Sequence, residues 1–161
     1  MILGIDPGIH CGFALLNDLG EVVSSGVWVL PGKDAHDGAR WHNMYELLKG
    51  MIDLWPPVDL IAYERVEAHG GARADGRSYQ SGASAGHSYG GLVAIITLVA
   101  AQRGIPTLAL PVAQIKRTAG KGNLSKVAMV TAAVRRWGLE RRPEPDEADA
   151  LWIAETARLS W

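Results

Sequence analysis

The chain has 161 residues, a formal net charge of −1 and 48% hydrophobic residues. That is enough for one domain with a real core, and no stretch reaches the roughly 20 uninterrupted apolar residues of a membrane helix. Cys11 is the single cysteine, which excludes an intrachain disulfide and fits a reducing cytoplasm, bacterial or that of a phage-infected cell. Met1 to Asp6 carries no basic n-region or cleavage site and reads as a strand rather than a signal peptide. Ile2 to Ile5 is a short apolar run that ends at Asp6-Pro7-Gly8. Gly12 to Leu16 and Glu21 to Leu30 follow as strands, with Asn17-Asp18-Leu19-Gly20 as the turn, giving an antiparallel meander.

From about Asp37 the apolar spacing turns helical through Trp41, Met44, Tyr45, Leu48, Met51 and Ile52, and Pro56-Pro57 stops it. Asp59 to Tyr63 reads as a fourth strand ending at Glu64. Ala68 to Gly86 is rich in Gly, Ala and Ser and reads as a flexible functional loop within a single domain over residues 1–161. A helix is expected from about Ser88 to Arg103, apolar on most faces and so a candidate dimer interface. Thr107 to Leu110 is a fifth strand, and 112–119 and 125–137 are helical, the latter capped by Ser125. Asp146 to Leu159 forms the last helix. A meander followed by strands alternating with helices implies an α/β fold, a mixed five-stranded sheet flanked by helices.

The charge is unevenly spread. Residues 103–142 carry nine basic side chains and only Glu140 as an acid, whereas residues 1–64 and 143–161 are acidic. A basic block beside acidic ones suits a chain that grips phosphates and gathers carboxylates around cations; a solvated charged face is the plain alternative. The carboxylates are Asp6 and Glu64, each closing an apolar strand, and Asp146 and Asp149, three apart on a helix and hence on one face. A carboxylate at a buried edge is costly unless something positive stands beside it. Oxygen donors suit Mg2+ or Mn2+, and two such ions roughly 3.5–4 Å apart can hold the attacking and leaving oxygens of a phosphodiester. Each acid also has an ordinary reading: Asp-Pro-Gly as a turn, Asp146 as a helix cap, Asp149 as a paired core carboxylate.

Together these residues carry a resemblance. Ile2-Leu3-Gly4-Ile5-Asp6-Pro7-Gly8 with Gly12, Tyr63-Glu64-Arg65-Val66, Gln114-Ile115-Lys116 with Gly120-Lys121-Gly122-Asn123-Leu124-Ser125-Lys126, and Asp146-Glu147-Ala148-Asp149-Ala150-Leu151 resemble, in order, the blocks of RuvC-type Holliday junction resolvases. The resemblance implies a ribonuclease-H-like core, a homodimer, two Mg2+ ions per subunit with Mn2+ able to substitute, and paired symmetric nicks in a four-way DNA junction. It implies Asp6, Glu64, Asp146 and Asp149 as metal ligands, with Asp6 between the ions. It further implies that Lys116 and Lys126 hold the scissile phosphate, against the alternative of distant phosphate gripping.

The expected DNA-contacting set is Arg73, Arg77, Tyr79, Lys116, Arg117, Lys121 and Lys126. In place of the family's aromatic wedge after the second acid stands Glu67-Ala68-His69, leaving Tyr79 as a candidate stacking ring or a plain loop tyrosine. With the long 68–86 loop, this departure suggests a phage-encoded or divergent branch. A branch-migration helicase partner is left unassigned. The five histidines show no metal-ligand spacing, and Gly86 to Gly91 lacks the lysine and strand of a phosphate loop. The competing functions are a nuclease for flaps, forks or RNA, a phosphotransferase (for which the chain is too short), and a non-catalytic junction-binding protein.

Overall fold

The computed structural model describes residues 1–32, 38–65 and 81–161, with side chains from residue 86 in the last segment. Its elements are β1 (Ile2–Asp6), β2 (His10–Leu16), β3 (Val22–Val29), α1 (Ala39–Leu54), β4 (Leu60–Arg65), α2 (Ser81–Gln102), β5 (Thr107–Pro111), α3 (Val112–Ala119), α4 (Lys126–Trp137) and α5 (Pro145–Ser160). The five strands form one sheet in the order β3-β2-β1-β4-β5. β1, β2 and β3 pair antiparallel, while β4 and β5 extend the sheet parallel to β1. The expected meander and mixed sheet are both present.

Strand periodicity separates two cores. On β1, Leu3 and Ile5 pack with Leu15, Ile61, Met44, Leu48, Leu92 and Ile96 against α1 and α2. Ile2 faces the other way, with Ala14, Leu16, Leu60 and Ala62, into a core closed by α3, α4 and α5. Successive side chains alternate across a strand, so Asp6 shares the α5 face with Ile2, and Glu64 shares it with Leu60 and Ala62. The parallel pairing Ile2↔Leu60 and Gly4↔Ala62 carries the two acids to neighbouring strand ends.

α5 lies directly on the centre of the sheet, chiefly across β1 and β2. Small residues make this approach possible. A Cβ on Gly12 would stand 1.9 Å from the Asp146 carbonyl oxygen, and one on Gly4 would stand 2.4 Å from the Ala150 carbonyl oxygen. The helix answers with Ala150, Ala154 and Ala157, all fully buried. Glu144 is its N-cap and Pro145 its first residue, where a missing amide hydrogen costs nothing. Asp146 is therefore inside the first turn and not the cap. α4 begins as expected, with the Ser125 hydroxyl accepting from the Ala128 amide at 3.3 Å.

The sequence reading needs one correction. α2 starts at Ser81, so residues 81–86 are helical and not part of the Gly-rich loop expected over 68–86. Once Leu92, Ile96, Val99 and Ala100 anchor the helix, adding each further residue forms another hydrogen bond, even through small side chains. Gly91 also has a packing task, because a Cβ there would press on the Trp41 ring at 2.7 Å. The rest of that loop lies outside the described residues.

Candidate metal centre and phosphate-binding cleft

The ends of β1 and β4, the start of α4 and the first turns of α5 converge on a cleft of about 250 Å³, lined by Asp6, Glu64, Lys116, Lys126 and Asp149 with Val112, Ile115 and Met129. Asp6, Asp146 and Asp149 present oxygens that all lie within 4.8 Å of one another. Glu64 exerts the largest of the three carboxylate repulsions on Asp6. Tyr89 on α2 donates to the Glu64 backbone carbonyl at 2.7 Å, tying the end of β4 to the opposite layer. Lys126 Nζ stands 3.3 Å from Asp146 Oδ1.

The electrostatics set these acids apart. Burial, then repulsion from Glu64, Asp149 and Asp146, pushes the Asp6 carboxyl up to about 8, against some relief from Lys126. Glu64 is raised by burial and by Asp149, and Asp149 by burial foremost, with both lysines opposing. Burial works against the charge of Lys126, but Asp146, Asp149 and Asp6 together outweigh it and raise its pKa.

Glu147 and Glu155, on the same helix, behave oppositely. They are buried too, but hydrogen bonds from Arg141 and Ser25 to the first, and from Arg158 and Arg136 to the second, outweigh burial and hold both carboxyls low. Among the described residues, the structural acids have arginine partners, whereas the cleft acids have one another and two lysines. That donor set, hard oxygens crowded in a half-buried recess, fits divalent cations.

Cys11 does not offer a competing nucleophile. Burial foremost, then Asp6 and Asp146, raises its thiol to about 12, despite a backbone hydrogen bond at Gly8 that lowers it. Such a thiol holds almost no thiolate at neutral pH.

Of the expected site residues, the cleft unites Asp6, Glu64, Asp146, Asp149, Lys116 and Lys126. Arg117 and Lys121 are exposed nearby, outside the lining. Arg73, Arg77 and Tyr79 lie outside the described residues, as do Glu67, Ala68 and His69. Sequence reasoning gave no role to Tyr89, which stands at the start of the expected 88–103 helix and inside the Gly86 to Gly91 run set aside as a phosphate loop. It also passed over Glu147, although a glutamate three residues after the N-cap Glu144 is the spacing of a capping box.

A family model for the crossover junction endodeoxyribonuclease RuvC matches residues 2–157. The chain belongs to the RuvC family. It is 31% identical over 164 residues to the crossover junction endodeoxyribonuclease RuvC of Synechococcus sp. (strain CC9605), covering 98% of this chain and 97% of that one. The RuvC of Prochlorococcus marinus (strain MIT 9313) is 33% identical over 162 residues, covering 96% of each. Among solved structures, T. thermophilus RuvC in complex with a Holliday junction substrate superposes with a TM-score of 0.78, covering 99% of this chain and 95% of that chain at 23% identity. The fold is thus the ribonuclease-H-like fold of RuvC, as the sequence resemblance implied.

Proposed function

We propose that this chain is a divalent-metal-dependent endonuclease that resolves four-way DNA junctions. The observation that carries this reading is the cluster of Asp6, Asp146 and Asp149 oxygens within 4.8 Å, in a cleft that also holds Glu64, Lys116 and Lys126. Family membership supplies the substrate: the T. thermophilus relative is described in complex with a Holliday junction.

Asp6, Glu64, Asp146 and Asp149 would hold the cations, Mg2+ or Mn2+ and two per subunit. When bound, the ions supply the charge that polarises a phosphodiester and makes an attacking water more acidic. The protein's own work is placement. Strands β1 and β4 fix two carboxylates at adjacent ends, and the first turns of α5 bring two more to meet them. Lys126, with its side chain 69% exposed, and Lys116 on α3 reach the same space and offset charge that develops on the scissile phosphate. Arg117 and Lys121 extend the positive surface for the DNA backbone, with Arg73 and Arg77 from the 66–80 segment and Tyr79 as a base-stacking ring. A homodimer would present two such clefts to a substrate that is itself two-fold symmetric, with the exposed Ala94, Leu98 and Ala101 of α2 as its contact surface.

The test is incubation of the purified protein with a labelled synthetic four-way junction, with and without Mg2+, beside a linear duplex, a flap and a fork. Paired symmetric nicks confined to the junction and to the metal-containing reaction are expected. Equal cutting of flaps and forks would make the chain a broader branched-DNA nuclease, and tight binding without cutting would make it a junction-binding protein.

A further inference from the structure

Glu147 sits between two candidate ligands, Asp146 and Asp149, but its carboxylate occupies a separate recess lined by Ser25, Leu139, Glu140 and Arg141. It is 2% exposed. Oε1 accepts from Ser25 Oγ at 2.7 Å and from Arg141 Nη2 at 2.6 Å, and Oε2 accepts from Arg141 Nη1 at 2.7 Å. The two-pronged arginine contact joins the first turn of α5 to the segment leading into it, and the serine joins that turn to β3. Against β2 the same turn has no slack, because the Asp146 carbonyl fills the space where a Gly12 side chain would begin.

On the cleft side the forces run the other way. Asp6, Asp146 and Asp149 crowd their oxygens within 4.8 Å, and whenever Asp6 loses its proton the repulsion, partly offset by Lys126, pushes the first turn of α5 away from β1. A helix end is also where a helix frays most easily. Lys126, its side chain 69% exposed, reaches Asp146 from the cleft side; the buried contacts on this turn lie on its far side.

We infer that Arg141, Glu147 and Ser25 form a positioning clamp that presets Asp146 and Asp149 for metal binding. The inference rests on the reading of those aspartates as metal ligands. None of the three clamp residues touches the reacting atoms; they act through the backbone of α5.

The test uses the full chain and Mn2+ as the probe, titrated calorimetrically without DNA. The variants are Arg141→Met, Glu147→Gln, the two combined, and Arg141→Lys. The double variant leaves no buried charge unpaired, so its metal-free Tm is expected near that of the wild type. Its Mn2+ affinity is expected to weaken by about 10- to 100-fold, the usual consequence of losing a partner that orients a ligand. Single-turnover cleavage should fall with it, while metal-free junction binding holds. Arg141→Lys keeps the charge but loses the fork, and should recover only part of the affinity.

Wild-type Mn2+ affinity in the double variant would overturn the clamp. Should that variant melt early, unchanged affinity in Arg141→Lys would overturn it equally. A junction affinity that falls by the same factor as cleavage would make Arg141 a phosphate contact instead. Absence of Mn2+ binding by the wild-type chain would end the metal reading itself, an outcome distinct from a failed clamp.

Discussion

The close approach of α5 to the sheet can be probed with a single methyl group. In Gly12→Ala the new Cβ would lie 1.9 Å from the Asp146 carbonyl oxygen and 2.5 Å from its carbonyl carbon. Regaining an ordinary contact of 3.4 Å requires a retreat of about 1.5 Å by one partner. β2 is hydrogen-bonded to β1 on one side and β3 on the other, so the helix end is the partner that yields. Overpacking of this kind costs about 1–3 kcal/mol, a drop of roughly 2–12 °C in Tm for a domain of this size. The larger effect falls on chemistry, since misplacing a reacting group by about 1 Å costs on the order of 10²-fold in rate. Single-turnover cleavage of a labelled four-way junction, measured beside Mn2+ affinity, reads this out. Gly50→Ala on α1, where a Cβ meets nothing within 4 Å, serves as the control and should stabilise by about 0.5–1 kcal/mol without touching either readout. A Gly12→Ala protein that cuts and binds Mn2+ like the wild type would refute the placement of α5 as the device that sets Asp146.

Asp6 gives the metal-free protein a pH signature. Its carboxyl is held at about 8 when folded against 3.8 ordinarily, so the folded chain keeps a proton that the unfolded chain releases. Its contribution to stability is complete below about pH 4 and is lost as pH rises to about 8. Thermal melts of Asp6→Asn without metal should therefore gain on the wild type across that window, and parallel pH slopes would refute the prediction. Asp149→Asn should abolish cleavage while sparing or tightening metal-free junction binding, because it removes negative charge and no phosphate contact; nicking and gel-shift assays on one preparation check both, and retained nicking would remove Asp149 from the site. Lys126→Ala should slow single-turnover cleavage by on the order of 10²-fold while weakening junction binding much less. Equal losses in both would reduce Lys126 to a phosphate grip.

Much of this architecture was legible because strand alternation is a local property. The apolar runs before Asp6 and Glu64 gave both strands and the acids that close them, and the three-residue spacing of Asp146 and Asp149 gave their shared face. What stayed hidden depends on tertiary contact. Gly12 looked like the start of a strand, and nothing local says that a helix carbonyl needs the space of its missing side chain. The start of α2 was hidden by composition, since Gly, Ala and Ser spell both a linker and the thin end of a well-anchored helix. Glu147 finds Ser25 across 122 residues, a pairing no short pattern encodes. Nor does a local pattern show how the basic block is divided. Arg103 pairs with Asp53, Arg136 with Glu155 and Arg141 with Glu147, so part of that positive charge is used inside the fold.

This distribution of arginines bears on the function itself. A buried carboxylate with an arginine fork is electrically complete, as Glu155 is between Arg136 and Arg158. Had Asp6 or Asp149 been given the same partner, each would be a paired core acid with its charge already met, as that of Glu155 is. Instead, among the described residues, the positive groups acting on them are lysines, compact point charges on flexible stems that can also turn to a phosphate. Among the described residues the cleft is therefore short of positive charge, as the raised carboxyls of Asp6, Glu64 and Asp149 register. On the proposed reading, divalent cations would make good that shortfall and would leave the lysines free to face the DNA.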